Sequence, residues 1–124
     1  MLKKNRTIKD LTDLQGRVYL YFPDSSVRDQ FITDAIEEGV AYGDGVSLTE
    51  REPDSIMALN ENMTINFVGF AGHMHFLQAS SESQIRTKPL IRVDYGRYAA
   101  GDEYYIIQYR MVKQQFFLSD IDYR

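Results

Sequence analysis

The stretch Ser25-Ser26-Val27-Arg28-Asp29-Gln30-Phe31-Ile32-Thr33-Asp34-Ala35-Ile36-Glu37-Glu38-Gly39 decides the fold class. Val27, Phe31, Ile32, Ala35 and Ile36 recur at helical spacing on one side, with Arg28, Asp29, Asp34 and Glu38 on the other. Ser25 or Ser26 supplies a capping hydroxyl, Asp29 completes a capping box with Ser26, and Gly39 gives a left-handed stop. An amphipathic helix with one oily stripe needs a surface to cover. The flanking sequence offers a sheet.

Upstream, Val18, Leu20 and Phe22 alternate with Tyr19 and Tyr21 until Pro23, which is strand behaviour. Downstream, Val40 to Tyr42 reads as a short strand, Gly43, Asp44 and Gly45 as a turn, and Thr49 to Asp54 as an exposed loop. Ser55 to Leu59 and Met63 to Val68 are two β-rich runs joined by Asn60, Glu61 and Asn62, the pattern of a hairpin. Gly69 and Gly72 then predict a bulge or sharp bend, with His73 to Leu77 continuing as strand and a helical turn as the alternative. Ser80 to Gln84 breaks the pattern, Leu90, Ile91 and Val93 form a strand started by Pro89, and Tyr104 to Tyr109 forms the next. Phe116, Phe117, Leu118 and Ile121 carry enough apolar surface to dock on the body.

Strand, helix, then several strands predicts an α+β domain. The expected architecture is a small, mostly antiparallel sheet of four to six strands, covered on one face by one main amphipathic helix. Residues 1–15 read as a partly ordered N-terminal tether, where Leu11 and Leu14 form one weak helical turn, and 16–124 as a single domain. A small sheet leaves an unpaired edge through which a homodimer would pair.

The chain has 124 residues, 44% hydrophobic and 26% charged, which is globular composition and enough for one core. With no cysteine, disulfides, thiolate metal sites and thiol catalysis are excluded. Lys3, Lys4 and Arg6 are not followed by the apolar core of a signal peptide, and no apolar run is long enough to span a bilayer. A cytoplasmic protein is expected. The net charge of −4 repels nucleic acid and anionic lipid, which puts nucleic-acid binding low among the expected functions.

His73 and His75 are the two histidines, and on a strand they would share one face, as imidazole metal ligands sometimes do. Two ligands fall short of the usual coordination number, so no metal or other cofactor is assigned. Gly43-Asp44-Gly45 follows a helix instead of preceding one, unlike a phosphate loop. Gly69-Phe70-Ala71-Gly72 has the bare spacing of an RNA-clamping GxxG loop without its two helices. Neither Ser80 nor Ser81 lies in a nucleophile elbow.

Segment 86–109 stands apart. It holds Arg86, Lys88, Arg92 and Arg97 with Tyr95, Tyr98, Tyr104, Tyr105 and Tyr109. Arginine and tyrosine give large contact area and stacking at modest entropic cost, as binding faces use them; a half-buried strand would also concentrate tyrosines. Arg92, Tyr95, Arg97 and Tyr98 are the candidate binding residues.

Tyr42 through Gly45, Ile56 to Leu59, and above all Asn66-Phe67-Val68-Gly69-Phe70-Ala71-Gly72-His73-Met74 resemble short proteins of unknown role carried by phages and integrative elements of Gram-positive bacteria. The resemblance implies an accessory role and transfers no functional residue. The leading expectation is therefore a small binding protein that occupies a host or defence protein or sequesters a small ligand. The alternatives are a metal-dependent or acid–base enzyme centred on His73 and His75, and a weak nucleic-acid binder.

Overall fold

In the computed structural model, residues 6–78 and 89–108 are described. Alternating β-branched and aromatic residues make Arg17–Tyr21 the strand β1, preceded by a short helix α1, Ile8–Leu11. The helix α2 spans Ser25–Glu38, β2 is Ala41–Tyr42, β3 is Ile56–Leu59 and β4 is Thr64–Phe67. The helix α3, Gly69–Gln78, follows, then β5, Leu90–Asp94, and the short helix α4, Tyr95–Ala99. The fold is α+β. No helix among the described residues is long and apolar enough to cross a membrane.

The five strands lie in the order β2-β4-β3-β1-β5. β3 runs antiparallel to β1 and to β4, whereas β5 is parallel to β1 and β2 is parallel to β4. The sheet is thus mixed, not mostly antiparallel. The reason is α3: the segment Gly69–Gln78, expected chiefly as bent strand, is a helix. A helix carries the chain back along the sheet, so the strand after it enters in the same direction as the strand before it. The connections β1-α2-β2 and β4-α3-β5 are both crossovers of this kind.

The two crossovers travel in opposite directions along the sheet, and their helices lie on opposite faces. Val18 and Leu20 of β1, Met57 and Leu59 of β3, Ile65 of β4, Tyr42 of β2 and Val93 of β5 point to one face. There they bury Phe31 and Ala35 of α2, Ile8 and Leu11 of α1, and Tyr95 and Tyr98 of α4. On the other face Tyr19, Tyr21 and Ile56 meet Phe76 and Leu77 of α3. The expected single covering helix is therefore replaced by three helices on one face and α3 on the other.

The expected helix is present with a different cap and a rotated stripe. The Asp24 carboxylate, not a serine, accepts from the Val27 amide at 3.0 Å, and Gly39 ends the helix at φ 81°. Ile36 is about half exposed while Asp34 is buried. A buried carboxylate needs donors. Tyr95 Oη donates to Asp34 at 2.5 Å and the Gln30 amide at 2.9 Å. Burial and this carboxylate raise the Tyr95 hydroxyl well above its ordinary range.

From Arg6 onward the N-terminal segment is bound to the body. Thr7 and Asp10 form a capping box on α1, and the Glu38 carboxylate accepts from the Ile8 and Lys9 amides at 2.9 and 3.1 Å. Arg6 donates to the Tyr98 and Asp102 carbonyls and lies over the Tyr98 and Tyr105 rings. Tyr98 Oη donates to the Thr7 carbonyl, and burial pushes this hydroxyl up to about 12.

The expected hairpin of β3 and β4 is present. Its turn places Met63 at φ 64°, a left-handed position that favours glycine, and the side chain packs against the large core. Residues 105–107 run antiparallel along the outer side of β5 through the Asp94 amide to Tyr105 and the Ile107 amide to Arg92. The outer side of β2 is occupied too, since the Tyr42 amide donates to the Val46 carbonyl at 3.0 Å. The polar break at Ser80 to Gln84 and the apolar Phe116, Phe117, Leu118 and Ile121 lie outside the described residues.

Candidate functional site

Strands β1, β2, β4 and β5 share one direction, so their carboxyl ends meet at one end of the sheet. In open sheets, ligands bind beyond the carboxyl ends of the strands. Here α2 leaves β1 toward β2 and α3 leaves β4 toward β5. That end carries the Asp24 turn, the loop from Gly43 to Ser55, the Phe67–Phe70 junction and the Asp94 corner.

At the β2 and β4 ends the side chains form a stack. The Tyr42 ring lies against Phe67 with 5.4 Å between centroids and 13° between planes. The Arg51 guanidinium lies 4.8 Å from the same ring, and Tyr42 Oη donates to the Arg51 carbonyl at 2.8 Å. Arg51 also pairs with Asp44 at 3.0 Å. The Val46 amide, and then Arg51, hold the Asp44 carboxyl below the usual carboxylate range. Burial raises the Tyr42 hydroxyl, against the pull of Arg51. Tyr42 is buried beneath this stack, yet Phe67 remains 43% exposed.

Phe70, three residues on, is 69% exposed in the first turn of α3. Gly69 makes the turn at φ 70°. Gly72 packs so closely on Val68 that a Cβ there would lie 2.2 Å from the Val68 Cβ. The junction is therefore sterically fixed, and it projects Phe70 away from both cores. Large exposed apolar side chains beside an arginine are the raw material of a protein-binding patch.

The candidate residues of the arginine–tyrosine segment do not share one surface. Tyr95 and Tyr98 are buried in the large core, where their hydroxyls serve Asp34 and Thr7. Arg92 is buried on the opposite face, with Nε donating to the Phe76 carbonyl at 2.6 Å and the guanidinium over the Phe76 ring. Arg97 alone of the four is exposed, 3.8 Å from Asp94 and donating to the Tyr104 carbonyl. Tyr104 is exposed beside it. Asp94 caps α4 through the Arg97 amide, and burial lifts its carboxyl above the ordinary value against that hydrogen bond. Arg86, Lys88 and Tyr109 lie outside the described residues.

His73 and His75 sit on α3, where two residues turn a side chain through about 200°. They do not converge. His73 Nδ1 donates to the Gly69 carbonyl at 2.8 Å, whereas His75 lies against Arg17 and Tyr19 of the sheet. Among the described residues no group of three histidine or acidic side chains is placed to hold a metal ion.

Comparison with protein-family models, curated proteins and solved structures finds no match. Sequence reasoning missed the exposure of Phe67 and Phe70. In sequence Phe67 belongs to the β-rich run Met63 to Val68, and Phe70 to the bulge or sharp bend that Gly69 and Gly72 predict.

Proposed function

We propose that the chain is a small binding protein, acting as an accessory factor of a phage or integrative element, as its resemblance implies. It holds a host or defence protein at the carboxyl end of the sheet. The observation that carries this reading is the exposure of Phe67 and Phe70 where β4 gives way to α3. Burying two phenylalanines against a partner contributes about 2–3 kcal/mol each before ordering costs are subtracted. Arg51 and Asp44 form the polar rim of the patch, and Arg97, donating to the carbonyl of the exposed Tyr104, adds a second exposed arginine at the same end of the sheet.

The test places a photo-crosslinking residue at Asp44 and exposes the protein to lysate of a Gram-positive host. A crosslinked protein that is lost in Phe70→Asp, with circular dichroism unchanged, supports the reading. Capture that survives Phe70→Asp but fails in Arg97→Ala moves the site to the Asp94 corner. Capture unaffected by either substitution contradicts the proposal.

A further inference from the structure

The α3 side of the sheet holds a titratable contact that the binding reading does not use. His75 Nε2 lies 2.9 Å from an Arg17 guanidinium nitrogen. Guanidinium only donates, so Nε2 must accept, which requires a neutral imidazole with its proton on Nδ1. The Tyr19 ring meets the imidazole edge-on at a centroid distance of 6.4 Å. Among the described residues the charged groups acting on His75 are Arg17 from β1 and Arg92 from β5. Both are cations.

The same few residues attach α3 to the sheet. Beside His75, Phe76 and Leu77 bury against Ile56, Tyr19 and Tyr21, and the Phe76 carbonyl receives Arg92 Nε. The amino-terminal half of α3 is exposed at Phe70 and Ala71. A proton on His75 removes the acceptor that Arg17 uses and adds a third positive charge to those of Arg17 and Arg92, at the point where the helix is held.

We propose that His75 with Arg17 and Arg92 is an acid-sensitive latch, which holds α3 on the sheet at neutral pH and releases its carboxyl-terminal half when His75 is protonated. Burial, then Arg17 and Arg92, lower the His75 midpoint below the ordinary histidine value. The sign follows from linkage. The unfolded or released state protonates near about 6.5, the docked state lower, so the latch contributes fully above about 6.5 and is lost as pH falls toward the docked midpoint. Each pH unit between the two midpoints is a tenfold change in the docking equilibrium.

The test is a pH titration of the whole chain by ¹⁵N NMR, reading both imidazoles and the amides of Met74 to Leu77. The expected result is a Nδ1-protonated neutral His75 at pH 7.5, with amide protection of Met74 to Leu77 lost in step with His75 protonation and not with that of His73. In His75→Gln, whose carbonyl can still accept from Arg17, protection of α3 should be flat between pH 7.5 and 5. In Arg17→Gln the His75 midpoint should rise toward 6.5. Protection that stays constant through His75 protonation, or that falls equally in His75→Gln, overturns the latch. Should His75→Gln fail to dock α3 at pH 7.5, an unmoved midpoint in Arg17→Gln would overturn it instead.

Discussion

Among the described residues, sixteen buried side chains form the core on the α1, α2 and α4 side of the sheet, and three form the core on the α3 side. The difference lies in what each face is made of. Apart from Tyr42 at its β2 edge, the large face takes aliphatic side chains or methionine, Val18, Leu20, Met57, Leu59, Ile65 and Val93, and receives aromatic side chains from α2 and α4 and aliphatic ones from α1. Phe22, Phe31 and Tyr95 pack there with ring centroids 4.9 to 6.2 Å apart. The small face takes Ile56 with Arg17, Tyr19, Tyr21 and Arg92, and one docked helix end. Most of the stability should therefore reside in the first face, and conformational freedom in the second.

Phe31→Ala should show the largest effect. Removing a fully buried ring from the large core is expected to cost about 3–5 kcal/mol, seen as a lower urea midpoint for the whole domain. Phe76 is equally buried, yet Phe76→Ala should cost less in global unfolding, about 1–3 kcal/mol, because its half-exposed neighbours can close over the gap. Its main effect should be faster amide exchange confined to α3. A Phe76→Ala loss as large and as global as that of Phe31→Ala would mean that the two faces are one cooperative unit.

A smaller effect sharpens the picture of the large face. Tyr95→Phe keeps the ring and removes one donor to the buried Asp34, which then relies more heavily on Gln30. The expected cost is about 1–3 kcal/mol by urea denaturation. A neutral result would show that the Asp34 carboxylate is served adequately without Tyr95.

The elements legible in the sequence are those specified by neighbours. The α2 stop needs only Gly39, the hairpin needs only two β-rich runs and the turn between them, and both were found at the expected places. The Asp24 cap was missed by one residue because Ser25 and Ser26 are equally plausible caps. Asp34 was placed on the solvent side because its main donor, Tyr95, lies 61 residues away. The mixed sheet was illegible for a related reason. Gly69 and Gly72 disfavour a helix by intrinsic propensity, and what makes the segment helical is the docking of Phe76 and Leu77 on strands far away in sequence. The five-residue helix α4 is too short to show a period, and its cap Asp94 also ends a strand.

The candidate site was legible in composition but not in position. The tyrosines and arginines of the 86–109 segment were correctly seen as concentrated, but Tyr95, Tyr98 and Arg92 direct that chemistry inward to Asp34, Thr7 and Phe76. A residue type suited to interfaces is equally suited to joining helices within one chain. Only the strand directions distinguish these uses, and they depend on α3.

Native-state hydrogen exchange at pH 7.5 tests the inequality of the two faces most directly. Amides of Phe31 to Glu38 and of β1 should exchange only through global unfolding, with a denaturant dependence equal to that of the whole domain. Amides of Met74 to Leu77 should exchange through a local opening with little denaturant dependence and lower free energy. Equal protection and equal denaturant dependence for α2 and α3 would contradict the division of the molecule into a strong face and a releasable one.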